Sequence, residues 1–182
     1  MFEILHFRES DKILKKKKMM KDVQLTLEYV DDALSGTLYK RELFRQALDE
    51  TDWIAESSRM NIIEGRRYRW KGYKKSVAIE GNFSSYEYIL EGLFRLQLGF
   101  DKGLIETGVL ILTSKRSVNS PYGSTQMMIG EEIELLYPTI SMPVSIALFN
   151  LDDPEIIIDE KGDIDNGVPV QTSDPAFAEE DA

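Results

Sequence analysis

Glu80 closes the run Ser76-Val77-Ala78-Ile79-Glu80, and Gly81 and Asn82 follow it directly. Val77, Ala78 and Ile79 form an apolar stretch of strand length. A carboxylate and an amide therefore emerge at the edge of a core, which is where chemistry can be placed. Only the carboxylate can carry charge. An amide can position a water but cannot take its proton at neutral pH. Spacing alone leaves a second meaning open, an ordinary strand–turn–helix ending in a solvated carboxylate. Other chemistries have few residues to work with. There is no cysteine and one histidine, His6, so a Cys/His pair is excluded and a Ser-His-Asp triad would have to use His6. His6 lies on a predicted apolar strand, where a satisfied core or edge imidazole is expected. No glycine-rich phosphate loop occurs. Asp159, Asp163 and Asp165 lack the mid-loop glycine and closing glutamate of an EF-hand.

The elements that would position Glu80 can be predicted on both sides of it. Tyr68–Tyr73 reads as a first hairpin strand, Gly72–Lys75 as its turn and Ser76–Glu80 as the second strand. Ser84 or Ser85 is a suitable N-cap. From there Tyr88, Ile89, Leu93, Leu96 and Phe100 recur at helical spacing, predicting a helix over 85–101. Upstream, 2–7 reads as a strand. A helix is expected from an N-cap at Ser10 to about Leu34, and another from 37 or 38 to about Glu50. Trp53–Ile63 is a connector in which Trp53 is a candidate core anchor. Downstream, Val109–Leu112 is apolar throughout and reads as a central strand. A turn-rich loop at 119–125, a helix at about 126–136, a strand at 144–151 and an edge strand at 155–159 complete the pattern. The fold class is α/β, a mixed central sheet of five or six strands flanked by helices.

With 182 residues the chain suits one domain. The formal charge of −10 is unevenly placed: residues 151–182 carry eleven acids against Lys161 alone, so the first 150 residues are formally neutral. The predicted division is a single domain over 1–160 and an acidic, flexible tail over 161–182. Residues 59–75 hold seven cations against Glu64. Such a cluster can sit on phosphates or keep an edge hairpin soluble. Lys15–Lys18 has no apolar signal core after it, and no apolar stretch reaches membrane-spanning length. A soluble cytoplasmic protein without a membrane partner is expected.

The stretch Glu80-Gly81-Asn82-Phe83-Ser84-Ser85, running into Tyr86–Leu90, resembles the active-site strand and following helix of the BglII-type restriction endonucleases. These are relatives of the BamHI type within the PD-(D/E)xK nuclease superfamily. Residues 4–14, ILHFRESDKIL, are similar to the group's first strand and helix start, and Gly108–Thr113 to its next core strand. The resemblance implies a restriction-endonuclease-like domain. Its activity would be Mg²⁺-assisted hydrolysis of double-stranded DNA within a restriction system, leaving a 5′-phosphate. It makes Glu80 a metal-binding carboxylate and the Gly81 carbonyl a further ligand, and it puts Asn82 beside the attacking water. It also implies a homodimer or a nuclease partner chain. DNA contacts are assigned to Lys74, Lys75, Lys115 and Arg116, then to Tyr122, Ser124 and Thr125.

One departure bears on activity. The family's second metal-binding acid, an Asp on the first hairpin strand, aligns with Lys71. An ammonium there removes a ligand and repels the cation. One unit-charge interaction at 4 Å is worth about 4 kcal/mol at an effective dielectric constant near 20. Glu64, sixteen residues before Glu80, is the candidate replacement ligand. Three outcomes follow. The chain is an active endonuclease using Glu64 or another, unassigned acid. Or it is a pseudo-nuclease in which Lys71 pairs with Glu80 or with a DNA phosphate, and which binds DNA or a partner. Or it is an interaction protein acting through its acidic tail.

Overall fold

The apolar runs become a five-stranded sheet because they are covered on both faces. The computed structural model describes residues 1–83, 86–115, 125–154, 157–158 and 164–165. The strands are β1 (Phe2–Phe7), β2 (Gly72–Lys74), β3 (Val77–Asn82), β4 (Thr107–Thr113) and β5 (Val144–Phe149). Their order is β1-β5-β4-β3-β2, with β3, β4 and β5 parallel and the two edge strands antiparallel. The helices are α1 (Ser10–Lys16), α2 (Met20–Leu34), α3 (Lys40–Glu50), α4 (Tyr88–Asp101) and α5 (Thr125–Leu135). Two short strands, β6 (Ile157–Ile158) and β7 (Ile164–Asp165), pair with each other outside this sheet. The edge strand expected at 155–159 is thus a separate pair among the described residues.

Successive side chains of a strand point to opposite faces. In β4, Val109 and Ile111 pack with α1–α3, while Leu110 and Leu112 pack with α4 and α5. This is the predicted mixed sheet with helices on both faces. Ala78 faces α4 and Ile79 faces α2 and α3, so alternation turns Glu80 toward α4. No helix among the described residues is long and apolar enough to cross a membrane.

Four expectations about elements are corrected. The helix predicted over 10–34 is two helices. Lys18 takes a positive φ of 58°, the Met19 amide donates to the Leu14 carbonyl at 2.9 Å, and fully buried Met19 plugs the corner. Glu9, in the left-handed conformation, stands at the N-cap in place of Ser10. Ser10 is buried, and its Oγ lies 3.0 Å from Ser145 Oγ. The first hairpin strand is also shorter than 68–73, and the turn is Lys75-Ser76, with φ of 50° and 63°. The Ser84 and Ser85 cap lies outside the described residues.

β2 carries an irregularity that matters for the site. Gly72 is the register partner of Ile79, yet the Lys71 amide also donates to the Ile79 carbonyl, at 3.0 Å. Two residues opposite one is a β-bulge. Trp70 and Tyr73, three apart, consequently both join the α4 side and stack at 6.1 Å, while Gly72 is pressed against Trp53 on the other side.

Candidate active site at Glu80

Glu80 is fully buried between β3 and α4. Helical periodicity puts positions seven apart on one face, and from that face Tyr88 and Arg95 both reach its carboxylate. Tyr88 Oη donates to Glu80 Oε2 at 2.8 Å, and Arg95 Nη1 stands 3.8 Å from Oε1. Oε1 itself has no hydrogen-bond partner. Two glycines on the same helix allow this approach. A Cβ on Gly92 would come within 2.4 Å of Leu110 Cδ1, and one on Gly99 within 2.1 Å of Trp70 Cζ2.

Arg95 is held from several directions. Nη2 bonds Glu91 Oε1 at 2.5 Å, Nη1 donates to the Arg69 carbonyl at 3.5 Å, and the Arg95 carbonyl accepts from Trp70 Nε1 at 3.3 Å. Burial pushes the Glu80 carboxyl up to about 7. The Tyr88 hydrogen bond, then the charges of Arg95 and Lys71, pull it down, and Glu91 adds a small push upward. Burial and the same carboxylate raise the Tyr88 phenol above its ordinary range.

Arg95 therefore offsets part of the cost of a buried anion. Arg95→Gln is expected to move the Glu80 carboxyl higher still, so that it keeps its proton at pH 8. Proton uptake caps the loss at about 1 kcal/mol near pH 8, falling toward zero near pH 6. Urea unfolding at both pH values checks this. Equal losses at the two would mean that Arg95 acts through packing alone.

The other predicted residues spread around this centre. Asn82 lies two residues on and half-buried, on the Glu80 face of β3. Gly81 faces the other way, where an added Cβ would meet Ile111 and Phe44. Lys71 is exposed, and the bulge keeps it from standing squarely across from Glu80, although its charge reaches the carboxylate. Glu64 is exposed in the turn closed by the Asn61–Arg69 bridge. Lys74 and Lys75 sit at the start of β3, whereas Lys115 leaves the end of β4, which runs parallel to β3. These two sets are separated by the length of the strand, about 17 Å. Lys74 already pairs with Asp22 at 3.2 Å and Lys115 with Asp153 at 2.8 Å. Thr125 opens α5, its Oγ1 donating to the Ser114 carbonyl at 2.8 Å. Arg116, Tyr122 and Ser124 lie outside the described residues. His6 is on edge strand β1 and shares a 2.9 Å hydrogen bond with Ser145 Oγ. His6 is exposed, but Ser145 and Ser10 are fully buried, which keeps both hydroxyls from a substrate.

Arg95 is not among the residues expected from sequence, and Tyr88 is expected only as an apolar helix position. A signal was present: Arg95 is the only cation of α4, and it follows Tyr88 by seven residues.

A divalent cation would have to use this donor set. The partnerless Oε1 of Glu80 is the feature that favours one. Against it stand the Arg95 guanidinium on the same oxygen and the charge of Lys71. Among the described residues, no group of three or more His, Asp or Glu could hold a metal ion. The residues present do not fit a bound Mg²⁺.

Comparison with known proteins places the fold. Crystal structures of one restriction endonuclease match it. The restriction endonuclease BglII complexed with a DNA 16-mer has a TM-score of 0.55 at 15% identity, over 81% of this chain and 75% of that one. Free BglII has a TM-score of 0.54 at 15% identity, over 90% of each chain. No curated protein sequence matches significantly. Residues 2–147 match the family described as restriction endonuclease BglII/BglIII. A match over that span, on a mixed sheet that carries Glu80 within a buried strand, shows that the chain belongs to the BglII/BglIII restriction endonuclease family.

Proposed function

We propose that this chain is a cytoplasmic DNA-binding member of its family that engages double-stranded DNA without a bound Mg²⁺ and does not cleave it at Glu80. One observation carries the proposal: the Glu80 carboxylate is buried against Tyr88 and Arg95, so a side-chain cation stands 3.8 Å from the oxygen a metal ion would use. Exposed Arg66, Arg67, Arg69 and Lys71 lie along the segment leading to the site and suit a polyanion. Lys75, Lys115, Arg116, Tyr122, Ser124 and Thr125 remain the further contacts to test.

Fluorescence anisotropy with a short labelled duplex, in EDTA and in Mg²⁺, is the direct experiment, run beside a plasmid-nicking assay. Affinity is expected to be equal in the two buffers at matched ionic strength and to fall steeply with salt, with no nicking. Mg²⁺-dependent cleavage that Glu80→Ala abolishes would overturn the proposal.

That outcome would instead support a second reading, favoured by the partnerless Oε1. In it the chain is an Mg²⁺-dependent endonuclease acting as a homodimer and leaving 5′-phosphate ends, with Glu80 and Gly81 as ligands and Glu64 as the second acid.

A further inference from the structure

We propose that Arg95 and Lys71 form a binding site for one DNA backbone phosphate, and that Glu91 is the carboxylate that fills it in the free protein. The inference rests on the DNA-binding reading above and assigns the contact within it. The Arg95 guanidinium has an inner and an outer edge. The inner edge faces the buried Oε1 of Glu80 and the Arg69 carbonyl. The outer edge is held by Glu91, four residues earlier on the same helix and 54% exposed. A carboxylate on an exposed surface is a weak occupant, because solvent and salt screen it. A backbone phosphate likewise offers two acceptor oxygens to a guanidinium fork, and it carries its charge along a polyanion.

The inner groups keep the fork in place for such a ligand. Glu80, when ionised, supplies a counter-charge from behind. Trp70 ties the α4 backbone to the hairpin by its bond to the Arg95 carbonyl. Lys71 is exposed and donates its amide to the carbonyl of Ile79, the residue before Glu80, and it is the second cation whose charge reaches the same carboxylate. Arg69 continues the line of cations toward the 61–69 turn. An acidic peptide could offer carboxylates to the same fork. The run of exposed cations along 66–71 favours the regularly charged backbone of a duplex.

The test uses the full chain and a short labelled duplex of mixed sequence, titrated at several salt concentrations. Glu91→Gln is expected to tighten binding at least about threefold, since the internal competitor is removed. Glu134→Gln makes the same charge change on an exposed position of α5 and is expected to leave affinity unchanged within about twofold. Lys71→Gln and Arg95→Gln are each expected to weaken binding about tenfold. Because both cations serve one phosphate, the double variant is expected to lower the salt slope by only about 1, and not by about 2. Arg95→Lys keeps the charge and loses the fork. Its affinity is expected to fall between wild type and Arg95→Gln, which keeps the test decisive if Arg95→Gln unfolds.

Unchanged or weaker binding by Glu91→Gln overturns the assignment. So does full duplex affinity in the Lys71→Gln/Arg95→Gln protein, which would leave DNA binding intact and place the phosphates elsewhere. If the wild-type chain binds no duplex at low salt, the DNA-binding reading itself fails. If the Glu91→Gln gain appears only with a labelled polyglutamate peptide, the partner is an acidic protein and the phosphate assignment is wrong.

Discussion

Glu80→Gln is expected to make the protein more stable near pH 8, by about 2 kcal/mol, and to leave it nearly unchanged near pH 5.5. The sign comes from linkage. The Glu80 carboxyl is pushed up to about 7 in the folded chain, while an unfolded chain returns it to an ordinary value near 4.5. Between those values the folded state holds a proton that the unfolded state has released. Stability from this group is complete below the lower value and is lost as pH rises through the upper one. The gap corresponds to about 3 kcal/mol by pH 8. Glutamine never bears the charge, and its oxygen can still accept from Tyr88. Its amide meets Arg95, donor against donor, which gives back about 1 kcal/mol. Urea unfolding at the two pH values reads the difference directly. A glutamine variant less stable than wild type at both would mean that Glu80 is ionised and fully compensated in the fold. The expected gain bears on function. A charged carboxylate that costs stability where it stands is explained by what it holds, and here that is the Arg95 guanidinium.

The parts of this arrangement that burial writes into composition were readable in advance. Val77-Ala78-Ile79 and Val109–Leu112 are apolar without interruption because helices cover both faces of their strands. Alternation along β3 then placed Glu80 at the core edge. The break at Lys18 was not readable, because the apolar period runs through it: Leu14, Met19 and Val23 are all buried. The positive φ falls on a lysine, where no glycine marks it. The Lys75-Ser76 turn is hidden for the same reason. Lys71 was expected beside Glu80 from alignment with its family. The bulge that draws Lys71 onto Ile79 is a hydrogen-bond event with no residue signature. Arg95 reaches Glu80 only because α4 lies close on the sheet, and Gly92 and Gly99 set that closeness. Their spacing of seven, matching that of Tyr88 and Arg95, is the trace such a contact leaves in a sequence.

Trp70→Ala is expected to cost about 3–5 kcal/mol and to weaken duplex binding with it. Trp70 is 2% exposed, stacks on Tyr73 and fills the space left by the missing Cβ of Gly99. Its indole N–H is also a tie between the hairpin and the Arg95 backbone. Truncation removes the largest side chain between β2 and α4, so Arg95 loses the support that fixes its fork. Trp70→Phe keeps most of the apolar volume and drops the N–H. It is expected to lie between the two, with urea midpoints shifted and m-values unchanged. A cost below about 1 kcal/mol for Trp70→Ala would mean that the indole does not seat the helix. The packing account makes a sharper demand on Gly99. In the wild-type chain Gly99→Ala must drive a methyl into the indole, and overpacking of this kind costs about 1–3 kcal/mol. In the Trp70→Ala chain the same methyl enters the vacated space, and alanine exceeds glycine in helix propensity by about 1 kcal/mol. Gly99→Ala is therefore expected to change sign between the two backgrounds, from destabilising to stabilising. A Gly99→Ala effect of the same sign and size in both would show that Trp70 and α4 are not in the contact on which the placement of Arg95 depends.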